Sequence, residues 1–162
     1  MARAKVILVD ADVISHFIAT DHIYELNEIL SPHQLYIVDN VYKEATYHPS
    51  DKERKNKIDE WLKKSKACRI SFPKLNRKIM AEFFKLKRDY KLLGDGECAC
   101  MAMARFEQEA IASSNFRDVA PYCEANGIQY IGVLGHSFNC KEKGTLGHRS
   151  MQPVYNGCNK GQ

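Results

Sequence analysis

Short apolar runs alternate with helical stretches along this chain, and this alternation restricts the fold more than any other feature of the sequence. The first run, KVILV at residues 5–9, is continuous and rich in β-branched residues, which is typical of a strand buried on both faces. Comparable runs follow at 35–38, 68–72, 110–114 and 128–133. The order predicts an α/β domain with a central, mostly parallel sheet of about five strands flanked by helices.

The segments between these runs have the periodicity of helices. They cover residues 13–18, 23–30, 41–47, 50–66, 75–90, 97–108 and 118–127. In 75–90, we expect Ile79, Phe83, Phe84 and Leu86 to face inward. Residues 136–162 are polar and Gly-rich without periodicity, so we divide the chain into a domain at 1–135 and a C-terminal extension of uncertain order.

Composition excludes several classes of protein. Apolar residues make up 44% of the chain and charged residues 27%, which argues against disorder, and the net charge of +4 permits a polyanionic partner without requiring one. There is no signal peptide or apolar run long enough for a membrane span, so we expect a cytoplasmic protein with reduced thiols and no membrane partner. One widely spaced set of zinc-type ligands is a weak candidate: His136, Cys140, His148 and Cys158.

Acidic and amide side chains follow the predicted strands or, for Asp95 and Glu97, lie where a loop with two glycines enters a helix. They are Asp10, Asp12, Glu44, Asp95, Glu97, Asn115 and Asp118. Because the carboxyl ends of parallel strands meet at one edge of a sheet, we expect these side chains to share that edge. Clustered carboxylates repel each other, and a hard divalent cation with oxygen ligands would relieve the repulsion.

Each of these residues also has a purely structural interpretation. Asp10 and Asp12 could simply cap the first helix, with Asp12 the favoured N-cap, and Asp95, between two glycines, is another candidate N-cap. Glu44 could be a solvated helix residue, and Glu97 could complement a helix dipole. Asn115 and Asp118 could be turn residues. The metal interpretation therefore depends on their joint placement.

Four motifs in order resemble those of PIN domains. VILVDADVISHFI is similar to the opening strand and helix, with Asp10 as the first acid, and VYKEA is similar to the second motif, with Glu44. LGDGECACMAMA resembles the third motif in its Gly-x-Gly-Glu form, and SSNFRDV resembles the last. The resemblance covers residues 5 to 134, ending in NGIQYIG, and departs from the family in the offset third acid and in the tail after Gly135.

The resemblance implies a three-layer PIN-like sandwich and metal-dependent cleavage of RNA with Mg²⁺ or Mn²⁺. It places Asp10, Glu44, Glu97 and Asp118 at the ion, with Asp95 competing with Glu97 for the third position. It assigns orienting roles to Asp12, Ser113 and Asn115. Homodimers and protein antitoxins are the partners it implies, as in toxins of the VapC type. Lys43, Arg117 and the lysines of 52–66 could hold the RNA backbone, although a solvated helix face is the simpler interpretation of them.

Three rival interpretations stay open. DADV and LGDGE resemble motifs of haloacid-dehalogenase-like phosphatases, with Asp10 as nucleophile, but the Gly-Asp-Gly loop should follow an apolar strand and here follows KLKRDYKLL. A non-catalytic PIN-like module that binds RNA or protein is the second alternative; the intact set of acids argues against it, because their mutual repulsion would bring such a module no benefit. Thiol catalysis at Cys98 or Cys100 competes with the interpretation of both as small buried side chains.

Overall fold

A single sheet organises the fold of the computed structural model, which describes residues 5–47, 50–134 and 137–141. Within those ranges the sheet has six strands: β1 (Val6–Val9), β2 (Gln34–Val38), β3 (Cys68–Ile70), β4 (Ala110–Ser113), β5 (Tyr130–Leu134) and β6 (Ser137–Lys141). The helices are α1 (Ala11–Ala19), α2 (Ile23–Ile29), α3 (Asp39–Thr46), α4 (Lys52–Lys64), α5 (Arg77–Asp89), α6 (Asp95–Glu107) and α7 (Val119–Ala125).

The strands lie in the order β3-β2-β1-β4-β5-β6, and the first five are parallel. The two central strands are β1 and β4, which pair with Leu8 opposite Ile111 and Val9 opposite Ala112. Their continuous apolar sequences suit burial on both faces, and Leu8, Val9 and Ala112 are all fully buried. The predicted α/β architecture with a central, mostly parallel sheet flanked by helices is confirmed.

The antiparallel strand β6 was not predicted, because its sequence is polar and lacks an alternating pattern. It pairs with β5 and thereby satisfies backbone groups that an exposed edge strand would leave unpaired. Cys140 lies in β6, whereas His136, His148 and Cys158 of the weak zinc set lie outside the described residues. The division of the chain at residue 135 stays a prediction.

Helix α6 is central to the packing. It contacts α3, α5 and α7 as well as strands β1, β2 and β4, and its residues from Cys98 to Ala104 are buried. Small side chains such as Ala99 and Ala102 allow this close approach on every side, while Met101 and Met103 fill the remaining space. In the described ranges, no helix combines the length and the apolar content needed to cross a membrane.

Three sequence expectations about the helices need correction. Phe84 does not face inward, since 62% of it is exposed, while Ile79 and Leu86 are buried as expected. The N-cap of α1 is Asp10 rather than Asp12, because the helix begins directly after β1 and the Asp10 carboxylate accepts the Ala11 N–H. The N-cap of α6 is Gly94 rather than Asp95, which is the first residue of that helix.

Candidate metal centre

Asp10 lies at the carboxyl end of β1, where only 1% of the residue is exposed. One carboxylate oxygen accepts the Ala11 N–H at 2.6 Å, and the other accepts the Ser113 hydroxyl at 2.9 Å. The second contact follows from strand register: Val9 pairs with Ala112 of β4, so the next residue on each strand lies beside the other. Two neighbouring strands therefore hold this carboxylate in one orientation.

Burial gives Asp10 unusual electrostatics. Desolvation, reinforced by the nearby charge of Glu97, raises the pKa of Asp10 from 3.8 to about 8, although the bonds from Ser113 and Ala11 oppose the rise. The ionised carboxylate is therefore costly at neutral pH unless a positive charge lies next to it. A divalent cation would supply that charge.

Glu97 is held in place in the first turn of α6. One carboxylate oxygen accepts the Gly94 N–H at 3.0 Å, and the other accepts the Asn115 side-chain amide at 2.9 Å. Asn115 is in turn oriented by the loop that follows β4, since its own N–H bonds the Ser113 hydroxyl and its side-chain oxygen accepts the Asp118 N–H. The same loop therefore positions both Asp10, through Ser113, and Glu97, through Asn115.

Asp10, Asp12 and Glu97 form the candidate metal centre. Each offers a carboxylate oxygen, and these atoms all lie within 4.8 Å of one another. Asp10 is buried, Glu97 is half-buried and Asp12 is exposed, so the cluster opens to solvent on the Asp12 side. Oxygen donors at this spacing fit a hard divalent cation such as Mg²⁺ or Mn²⁺, with solvent completing its coordination.

Glu44 lies beside this cluster without belonging to it. Its carboxylate accepts the Gly96 N–H at 3.0 Å, and burial, with smaller contributions from Asp95 and Glu97, raises its pKa. A Cβ atom on Gly94 or Gly96 would lie 2.6 or 2.7 Å from a Glu44 oxygen, so the two glycines are what allow the carboxylate to reach the start of α6. Glu44 is thus linked to the centre through the α6 backbone.

The two remaining predicted acids lie apart from the cluster. Asp95 forms an ion pair with Lys87 of α5, with 2.7 Å between the carboxylate oxygen and the ammonium nitrogen. Asp118 precedes α7 without capping it, and lines a cavity of about 140 Å³ together with residues 89–93. Between Asp95 and Glu97, the structure therefore brings Glu97 to Asp10. Lys87 was not selected from the sequence, although its position in a basic stretch was a usable signal.

The buried thiols have the structural role that was preferred for them. Cys98 and Cys100 are 0% and 1% exposed. Burial raises the pKa of Cys98 to about 12 and also raises that of Cys100. Neither thiol forms a thiolate at neutral pH, which removes the interpretation as a nucleophile.

The sheet order and its flanking helices make this a PIN-like α/β fold, as the resemblance implied. The chain is similar to a crystal structure of VapBC2 from Rickettsia felis bound to a DNA fragment from their promoter, with a TM-score of 0.56, 16% identity, and coverage of 72% of this chain and 92% of that one. It is also similar to a toxin–antitoxin complex from Klebsiella pneumoniae, with a TM-score of 0.51, 17% identity, and coverage of 70% and 89%. No protein-family model matches the sequence, and no curated protein matches it. At these identities the likeness establishes the fold alone.

Proposed function

We propose that this protein is a metal-dependent endoribonuclease that hydrolyses RNA phosphodiester bonds with Mg²⁺ or Mn²⁺. The observation that carries the proposal is the convergence of Asp10 and Asp12, from the end of β1 and the start of α1, with Glu97 of α6, which is distant in sequence, at the carboxyl edge of the sheet. The raised pKa of Asp10 supports it, since a buried carboxylate without a cationic partner only costs stability.

In this proposal, neighbouring residues of the chain hold and orient the carboxylates that would bind the metal ion. Ser113 and the Ala11 N–H fix the Asp10 carboxylate, while Asn115 and the Gly94 N–H fix that of Glu97. When bound, the cation supplies charge stabilisation for the phosphate and activation of water. Glu44 and Asp118 stay proposed contributors, and both lie next to residues that hold the cluster in place.

The phosphatase alternative lacks its expected structural context. The Gly94–Gly96 segment joins α5 to α6 and does not follow a strand. The structural context therefore favours phosphodiester cleavage over this alternative.

The test is cleavage of a mixed RNA pool by the purified full chain, with Mg²⁺, with Mn²⁺ and with EDTA. We expect cleavage with either metal, none with EDTA, and a loss of about 100-fold or more in Asp10→Asn. Asp21→Asn, which makes the same change at an exposed position in a turn, is the matched control and should cleave normally. Asn115→Ala should lower activity by about 10- to 100-fold, because Glu97 loses its side-chain partner.

Other results would lead to different conclusions. Cleavage that persists in EDTA rejects the mechanism, and activity on a phosphomonoester alone supports the phosphatase. RNA binding without cleavage, unchanged in Asp10→Asn, identifies a non-catalytic module.

We further propose that the protein acts in the cytoplasm as the toxin of a toxin–antitoxin pair. The similarity to a toxin–antitoxin complex supports this proposal. Induced expression of the wild-type chain should arrest growth of a bacterial host, whereas Asp10→Asn should not. Light scattering on the purified chain tests the homodimer, and co-purification with a co-expressed antitoxin candidate tests the protein partner.

A further inference from the structure

The segment around helix α5 carries a high positive charge. Residues 74–92, which include all of α5, contain seven basic and two acidic residues, a net charge of +5 that exceeds the +4 of the whole chain. Six of the basic residues are exposed: Lys74, Arg77, Lys78, Lys85, Arg88 and Lys91. We call this surface the α5 basic face.

The charge of the α5 basic face is largely uncompensated. Of the two acids in the segment, Glu82 is buried and pairs with Arg105 of α6, and Asp89 pairs with its neighbour Arg88. The other five exposed basic residues form no ion pair within the described ranges. They are Lys74, Arg77, Lys78, Lys85 and Lys91.

Helix α4, the other basic helix, differs in this respect. Lys55, Lys57 and Lys64 each form an ion pair with an acid one turn away on the same helix, namely Asp59, Glu53 and Glu60. Three of the six basic residues of α4 are therefore neutralised by acids of the same helix. The α5 basic face, by contrast, still has charge available for a polyanion.

Exposed apolar side chains accompany the charge. Phe84 is 62% exposed and follows Arg77 by seven residues and precedes Arg88 by four, which places the three on one side of α5. Its ring packs edge-on against Phe83, with 5.6 Å between ring centroids, and Phe83 contacts Phe72. Phe84 is thus supported from below while part of its ring is open to solvent. An exposed aromatic ring among basic side chains is the combination that binds single-stranded nucleic acid by stacking and charge.

The C-terminal end of α5 lies next to the first turn of α6. Near the end of α5, the Lys87 ammonium bonds the Asp95 carboxylate at 2.7 Å and the Leu93 carbonyl at 3.4 Å. These contacts fix the end of α5 against the first turn of α6, which carries Glu97. With 13 residues, α5 extends about 20 Å from that point.

We propose that the α5 basic face binds the stretch of single-stranded RNA next to the cleaved bond, with Phe84 stacking on a base and Arg77, Lys78 and Lys85 contacting phosphates. The inference rests on the proposed ribonuclease function and adds to it the path of the substrate. A second copy of the chain is a poor occupant, because two surfaces of +5 would repel each other. An acidic protein segment is the competing occupant, and the test below separates it from RNA.

Binding is measured by fluorescence anisotropy of a labelled, mixed-sequence single-stranded RNA on full-length Asp10→Asn, which should not cleave it. The double variant Lys78→Ala/Lys85→Ala should weaken binding about 10-fold or more and reduce the salt dependence of log K by about 1.4, since each phosphate contact contributes about 0.7. Phe84→Ala should weaken binding about 5- to 100-fold. Lys55→Ala/Lys64→Ala on α4 removes the same charge and should change binding less than about 2-fold.

Cleavage kinetics of the same changes in the wild-type chain provide the second measurement. We expect KM to rise by the same factor as the dissociation constant, with kcat nearly unchanged. Equal effects of the α4 and α5 variants would overturn the inference, because binding would then depend only on overall charge. If the α5 variants bind RNA as before but no longer bind an antitoxin or an acidic peptide, the α5 basic face is a protein-binding surface and the inference is overturned.

These outcomes separate the inference from the function on which it rests. If the wild-type chain does not cleave RNA but the α5 variants lose RNA binding, the path of the RNA stands and the nuclease proposal fails. If the wild-type chain cleaves RNA and the α5 variants have the same KM, the proposed nuclease function is supported and the proposed path of the RNA along α5 is wrong. Circular dichroism melting of each variant checks the fold, which these exposed side chains should not affect.

Discussion

Replacing Asp10 by Asn should make the metal-free protein more stable while removing its response to metal. Asn has nearly the shape of Asp and keeps both contacts, because its oxygen accepts the Ala11 N–H and its amide donates to the Ser113 hydroxyl. What disappears is the free-energy cost of burying an ionisable carboxyl close to Glu97, which the folded protein meets by taking up a proton below pH 8 and by holding a charge above it. A buried carboxylate that serves to bind a cation should therefore lower the free energy of unfolding of the metal-free protein by a measurable amount.

The size of the effect follows from the pKa of Asp10. In the unfolded chain this carboxyl releases its proton near its ordinary pKa of 3.8, whereas in the folded protein it keeps the proton up to about 8. The free energy of unfolding therefore falls as pH rises from 4 to 8. At about 1.4 kcal/mol per pKa unit, the loss is below about 2 kcal/mol at pH 5, about 4 at pH 7 and about 6 well above pH 8.

Urea denaturation of wild-type protein and Asp10→Asn in EDTA, at pH 5 and at pH 8, measures this difference. We expect Asp10→Asn to be more stable by several kcal/mol at pH 8 and by much less at pH 5. Addition of Mg²⁺ or Mn²⁺ should stabilise the wild type, by about 2.7 kcal/mol at one hundred times the dissociation constant, and should leave Asp10→Asn unchanged.

Asp12→Asn provides the control, because the same change at an exposed member of the cluster should alter metal-free stability by less than about 1 kcal/mol. The reasoning is refuted if Asp10→Asn is no more stable than the wild type in EDTA at pH 8. It is also refuted if metal stabilises both proteins equally.

Three further changes test other parts of the structure by urea denaturation. Gly96→Ala should cost about 1–3 kcal/mol, because its Cβ would lie 3.1 Å from the Val41 Cγ2 and 3.2 Å from the Val41 Cα as well as 2.7 Å from a Glu44 oxygen; a gain in stability would show that these contacts relax freely. Arg105→Met should cost about 2–4 kcal/mol by leaving the buried Glu82 carboxylate unpaired, and adding Glu82→Gln should recover most of that loss. Glu109→Gln should stabilise the protein by about 1 kcal/mol at pH 8 and little at pH 5, because burial raises the pKa of Glu109 to about 7; equal effects at both pH values would contradict that cause.

Local pattern was sufficient to predict much of this protein. Continuous apolar runs identified the central strands β1 and β4 most directly, because strands buried on both faces have no polar alternation to obscure them. The position of Asp10 directly after such a run placed it at the carboxyl edge of the sheet. The small, apolar sequence of α6 likewise predicted its burial.

Pattern was insufficient wherever two faces of an element compete. Phe83 and Phe84 are adjacent on α5, and the helical periodicity allowed both to face inward. In the structure the Phe83 ring contacts Phe72, whereas Phe84 is exposed. Strand β6 was missed because it pairs with β5 through backbone groups, which every residue has, and its polar side chains show no alternating pattern.

By itself, the sequence determined the order of strands and helices and the supply of carboxylates after the strands, because both depend on local periodicity and chain position. Only the tertiary structure decided which of those carboxylates meet. The bonds from Ser113 to Asp10 and from Asn115 to Glu97 join residues 103 and 18 positions apart. Such contacts arise when strand register and helix packing bring distant segments within hydrogen-bonding distance, and no local pattern records that geometry.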